Sequence, residues 1–209
     1  MGCDTIWPDH DAVFGVKCCM NNVIITISRG FGSGGVTIGR MTAKMLGVHY
    51  YDDAALRELA GDRLKRALEE MEQLPEEDKA VAAEEIFRIQ VDQIRALAEK
   101  ESCVIMGRAA DYILRDVPNV IRVNIHAGFE DCVRTVAERD GLTEEEAGEK
   151  IRRVDTGRAE FYQRHTGQVW NDPLSFDLTL NSASIGSQSC AELIAQYVEI
   201  WKRHHGMGK

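Results

Sequence analysis

Apolar residues along this chain fall into two patterns: short unbroken runs, and longer stretches with a helical repeat. The first run, Val23–Ser28, is rich in β-branched residues and too continuous for a half-exposed strand. It predicts a strand covered on both faces. Val48–Tyr51, Ser102–Met106, Val120–His126 and Asp177–Asn181 predict four more. Helical spacing fills the gaps, over Thr37–Leu46 with a stop at Gly47 and over Phe129–Asp140 with a stop at Gly141. Asp53 is placed to cap a helix carrying Leu56, Leu59 and Leu64. The acidic stretch 62–85, broken at Pro75, reads as two helices with a largely solvated face, and Ile86, Ile89, Ile94 and Leu97 carry the second on to Lys100. A short helix holds Ile113 and Leu114. Thr143 and Glu146 form a capping box for a helix that gives out near Gly167, and Ser189–Trp201 is the closing helix.

Strands alternating with helices predict an α/β fold with a five-stranded parallel sheet flanked by helices. At 209 residues this is one domain. Ligands of such sheets gather at the carboxyl ends of strands. That rule marks four places: the 29–37 loop, Asp52-Asp53, Gly107-Arg108 and Asn181-Ser182.

Composition narrows the function. The net charge of −9 argues against nucleic acid and anionic membranes as partners. No run reaches the roughly 18 apolar residues of a membrane span. Residues 1–21 lack periodicity and the order of a secretion signal, so they read as a disordered tail, with Met20 an alternative start. A cytoplasmic protein is expected. The six cysteines form no C-x-x-C pair and read as free thiols, and the six histidines show no metal-ligand spacing. Arginine outnumbers lysine 17 to 8, which suits planar recognition of phosphate.

The glycine-rich turn Gly30-Phe31-Gly32-Ser33-Gly34-Gly35 lies between the first strand and first helix. That is the setting of a phosphate-binding loop, whose inward amides and helix dipole hold anions. The stretch fits G-x-x-x-x-G-x-T through Gly30, Gly35 and Thr37, with Val36 at the usual lysine position. A dinucleotide-binding turn is the rival reading, with Asp52 as its ribose acid. Loop length and Thr37, at a magnesium-ligand position, weigh against it. Arg108 at a strand end can clamp an anion. Asp155, Arg158 and Tyr162 share one helical stripe, where Asp155 and Arg158 can also form a simple ion pair.

With these pieces assembled, the chain resembles the cytidylate kinase-like family of P-loop nucleoside monophosphate kinases. The resemblance runs from about Asn22 to Val198. It is carried by ITISRGFGSGGVTIGRMTAKMLGVHYYD, IMGRAADYIL, RDGLTEEEAGEKIRRVDTGRAEFYQRHTGQVWND and FDLTLNSASIG. It implies a P-loop domain over 22–205, with a helical monophosphate-binding insert at about 60–100 and a lid at about 134–166. Gly30, Gly32, Ser33, Gly34, Gly35, Val36 and Thr37 would hold ATP, with Thr37 on Mg2+. Asp52, Arg108, Asp155 and Arg158 would bind the substrate, with Asp155 reading the cytosine edge. Arg158, Arg153 and Arg134 would serve catalysis. Two positions depart from the family pattern: Val36 replaces the loop lysine, and Met106 stands where an aspartate precedes the G-R turn. Arg29, Arg40 or the lid arginines could supply the absent charge.

These readings lead to ATP-dependent phosphoryl transfer to a nucleoside monophosphate, CMP or dCMP. A nucleotide-binding regulatory protein without turnover and a kinase of a non-nucleotide small molecule remain alternatives. The oligomeric state is not readable.

Overall fold

The computed structural model describes residues 22–207; the expected N-terminal tail lies outside them. Five parallel strands form one sheet in the order β2-β3-β1-β4-β5. They are β1 (Ile24–Arg29), β2 (His49–Tyr51), β3 (Cys103–Met106), β4 (Val120–His126) and β5 (Leu178–Asn181). Ile24 pairs with Cys103 on one side and Val120 on the other, so β1 is the central strand.

The unbroken apolar runs have a direct cause: both faces are covered. Ile25, Ile27, Val104, Met106, Ile121, Val123 and Ile125 face α1 (Gly35–Leu46) and α7 (Ser182–His204), where Ile38, Ala43, Ala191, Ile194 and Val198 meet them. Ile24, Cys103, Ile105 and Val120 face the other way. They pack on Phe87, Ile94 and Leu97 of α3 (Glu76–Lys100) and on Ile113 of α4 (Ala110–Ile113). Alternate residues thus serve two cores. The edge strands β2 and β5 are short and only partly buried.

Two pairs of helices form hairpins with small cores of their own. α2 (Asp53–Gln73) and α3 form a hairpin around Pro75 with a small core of Leu64, Ile86 and Ile89. α5 (Phe129–Asp140) and α6 (Glu144–Thr166) pack through Cys132, Val133, Val136, Ala147 and Ile151, with Phe31 of the glycine loop against that cluster. The Thr143 capping box is formed, with Glu146 reaching back to the Thr143 amide at 2.9 Å.

Strand ends shift by one residue at most, and three helix starts differ from the sequence pattern. Asp52, not Asp53, caps α2, its carboxylate accepting from the Ala55 amide at 3.1 Å. α1 begins at Gly35, two residues before the expected Thr37, because glycines can complete its first turn. α7 begins at Ser182 rather than Ser189 and is kinked at Gly186; its first turn is small and polar, so no apolar period announces it. No helix among the described residues is long and apolar enough to cross a membrane.

Candidate active site

The glycine loop is built to present amides. Ser33 folds inward, its hydroxyl donating to the Gly30 carbonyl at 2.9 Å. Ser182 ties the loop to α7 by donating to the Ser33 carbonyl at 2.7 Å. Gly34 enters α1 in the left-handed region, and no side chain caps the helix. The first-turn N–H groups and the positive end of the dipole are therefore open to an anion. Val36 and Thr37 stand exposed on that turn. Thr37 makes no side-chain hydrogen bond among the described residues.

A second turn lies beside it, after β3. Gly107, Arg108 and Ala109 are all left-handed, with φ of 70°, 58° and 53°. Two of them carry a Cβ, at a cost on the order of 1 kcal/mol each. The turn aims Arg108 at Asp53, with which it forms an ion pair. Arg158 of α6 bonds Asp155 at 2.9 Å and the Arg29 carbonyl at 3.2 Å. Burial lowers the pKa of both Arg108 and Arg158, while Asp155 pulls the second back up.

These groups border one cavity of about 360 Å³ at the carboxyl edge of the sheet. Arg29, Arg108 and Arg158 line it together with Asp53, Phe161 and Trp170. Deeper in the wall, Tyr162 donates to Asp111 at 2.7 Å. Burial pushes both of these groups up in pKa, and the Tyr162 hydroxyl partly relieves Asp111. Asn171, itself left-handed, accepts from the Ser28 hydroxyl at 2.7 Å and holds the Trp170 segment against β1.

Of the substrate-binding residues expected from the sequence, Arg108 and Arg158 are brought together. Asp155 does not line the cavity; its two oxygens accept from the Phe31 amide at 3.0 and 3.1 Å, tying α6 to the glycine loop. Asp52 is occupied by the α2 cap and by Arg40 at 3.1 Å. Burial would raise the Asp52 carboxyl, but those contacts outweigh it and hold it below its ordinary value. Arg134 is exposed and paired with Asp131, and Arg153 is exposed. Sequence reasoning marked Asp53 only within the Asp52-Asp53 pair at a strand end, without a role, and did not place Phe161 or Trp170 at the site. Asp53 was visible as one of two acids ending β2, whereas Trp170 lies in a segment without periodicity.

A doubly covered parallel sheet with a glycine loop between its central strand and first helix defines the P-loop kinase fold. The cytidylate kinase-like family model matches residues 24–184, and the chain belongs to that family. A cytidylate kinase of Archaeoglobus fulgidus is 29% identical over 187 residues, covering 85% of this chain and 96% of that protein. One of Desulfurococcus amylolyticus is 26% identical over 186 residues, 88% of this chain and 97% of the relative. Among solved structures, an uncharacterized protein of Eubacterium ventriosum superposes with a TM-score of 0.71 at 27% identity, over 85% of this chain and 99% of that one. Shikimate kinase of Bacteroides thetaiotaomicron, at 16% identity and a TM-score of 0.55, shares the fold; 85% of this chain and 98% of that one are covered.

Proposed function

We propose that this protein transfers the γ-phosphoryl group of ATP to a nucleoside monophosphate, with CMP or dCMP as the acceptor. The observation that carries the reading is the cavity itself. Arg108 and Arg158 arrive from two separate elements on one wall, beside the rings of Phe161 and Trp170 and at the foot of the glycine loop. Guanidinium forks suit a phosphate, and aromatic faces suit a planar base. The cytidylate kinases of Desulfurococcus amylolyticus and Archaeoglobus fulgidus support the choice of acceptor.

The chemistry asks little of the protein beyond position and charge. The attacking oxygen belongs to an acceptor phosphate that is already ionised, so no general base is required. The α1 amides hold the triphosphate, Arg108 and Arg158 orient the acceptor, and α6 shields the site from water. Arg134 and Arg153 face solvent, and reaching the phosphates would require the α5–α6 pair to move. Asp155 reaches a base edge only by releasing the Phe31 amide. Asp52 shapes the site through Arg40 and the start of α2.

Magnesium fits in one way. Among the described residues no three acidic, histidine or cysteine side chains group as a cage. The Thr37 hydroxyl is exposed and unbonded on the first turn of α1, which suits a cation that arrives on nucleotide phosphates and keeps several waters. Such an ion would neutralise phosphate charge during transfer.

Purified protein is to be incubated with ATP, magnesium and each nucleoside monophosphate, and diphosphate product measured. CMP or dCMP is expected to give the highest kcat/KM; absence of diphosphate from every acceptor would sink the proposal. A nucleotide-binding protein without turnover is the second reading, favoured by the exposed apolar Val36 and the buried Met106 at the two phosphate-facing turns. It expects thermal stabilisation by ATP with no product. A panel of hydroxylated small acceptors separates a non-nucleotide kinase from both.

A further inference from the structure

Charge on the cavity wall does not balance, and the imbalance lies at Arg29. Arg108 is matched by Asp53, and Arg158 by Asp155. Arg29 ends β1 between them, with neither an ion pair nor a side-chain hydrogen bond among the described residues. Its Nε is shut off from solvent and has no partner. Burial, with Arg158 next, draws its pKa down to about 10; Tyr50 acts the other way, and Arg108 and then Asp155 contribute less, in opposite directions.

Shape rather than charge holds the side chain in place. A Cβ on Gly35 would stand 2.6 Å from the Arg29 Cβ. At Gly107 a Cβ would collide with Nη1 of the same side chain. One glycine in each of the two turns therefore clears the path for this arginine, from the glycine loop to the turn after β3. A desolvated guanidinium without a counter-ion is costly, and an arriving anion offsets the cost. Arg40, the other basic residue near the loop, runs elsewhere: its side chain is 63% exposed and pairs with Asp52.

We infer that Arg29 is a phosphate-binding residue which, with Arg108 and Arg158, completes an anion subsite for phosphoryl oxygens. In the reaction proposed above, on which this part rests, it contacts the acceptor phosphate or the group in transfer. It supplies from the end of β1 the positive charge that Val36 does not supply from the loop. It forms no covalent bond and stays protonated throughout. Its planar fork can hold two oxygens in a fixed bidentate geometry, whereas a lysine ammonium acts as a point charge.

The test is a calorimetric titration of the full chain with pyrophosphate, comparing wild type, Arg29→Met and Arg29→Gln. Each variant is first checked for a cooperative thermal melt, and Arg29→Gln decides if Arg29→Met does not fold. Pyrophosphate affinity is expected to fall at least about tenfold in the variants, since a charge-assisted bidentate contact is lost. CMP turnover is expected to fall by about 100-fold. Wild-type protein that does not bind pyrophosphate, or variants that bind it as tightly as wild type, would overturn the inference. Arg29-dependent pyrophosphate binding in a protein that phosphorylates no monophosphate would instead sink the kinase reading and leave the anion subsite standing.

Discussion

The two turns that follow β1 and β3 present their polar groups by opposite means. The glycine loop after β1 presents backbone amides at an α1 start with no side-chain cap, and most of its positions are small. The turn after β3 offers a side chain, and it accepts two strained non-glycine residues to aim Arg108 into the cavity. Backbone recognition is insensitive to side-chain identity but intolerant of bulk. Side-chain recognition is the reverse. Asp155 of α6 ties the first of these turns to the cavity wall, because it holds the Phe31 amide of the glycine loop while pairing Arg158.

The largest effect is expected from Gly35→Val. A branched side chain would meet Arg29, whose Cβ lies 2.6 Å from the nearest possible Cβ, and would displace both loop and arginine. Thermal melts should show a loss of about 2–3 kcal/mol, the range of overpacked cores, with ATP affinity falling in parallel. A melt within a degree of wild type would show that the loop can absorb bulk, and the contrast between the two turns would fail.

An intermediate effect is expected from Asp155→Asn, which keeps the shape of the link but weakens its charge. An amide oxygen still accepts from Phe31, while the charge-assisted bond to Arg158 is lost. Stability should fall by about 1–2 kcal/mol. KM for the acceptor should rise more than kcat falls, because Arg158 is less firmly held while the tie between α6 and the loop is kept. An increase confined to KM for ATP would place Asp155 with the loop instead.

The smallest effect concerns the far end of α6. His165 stacks on Phe87 with ring centroids 4.0 Å apart, and its side chain is 3% exposed. Burial lowers its pKa from 6.5, Glu84 acts against that and Arg164 with it. The unfolded chain therefore binds the proton more readily than the folded one. Stability is full above the unfolded pKa of about 6.5 and declines as the pH falls below it. Melting temperatures between pH 7.5 and 5 should show this decline, and His165→Gln should make it shallower. An identical slope in the variant would assign the decline to other groups.

Strands and helix stops were legible because burial on both faces writes unbroken apolar runs, and because glycines mark the ends of α1, α5 and α6. β4 and α5 fall on the expected residues. The glycine loop and Arg108 were legible as local patterns at strand ends. What the chain does not spell out is direction. An arginine after ITIS can turn to either side of the loop, and Gly107, some 80 residues later in sequence, acts with Gly35 to leave one side open. The partners of Asp155 were hidden for a related reason: the helical period gives its neighbour Arg158 but not the Phe31 amide, which tertiary packing brings to it. Trp170 and the start of α7 lie in small or polar segments held by long-range hydrogen bonds, from Ser28 to Asn171 and from Ser182 to Ser33 and His126.

The brevity of the outer strands bears on self-association. β2 spans three residues and β5 four, and β2 carries bulky Tyr50 and Tyr51 next to the helix-capping Asp52. An incoming chain would find few open amide and carbonyl groups in a row on either border. Ribbon-like stacking of one copy on another therefore gains few bonds, and the long apolar strands that could seed fibrils stay in the middle of the sheet.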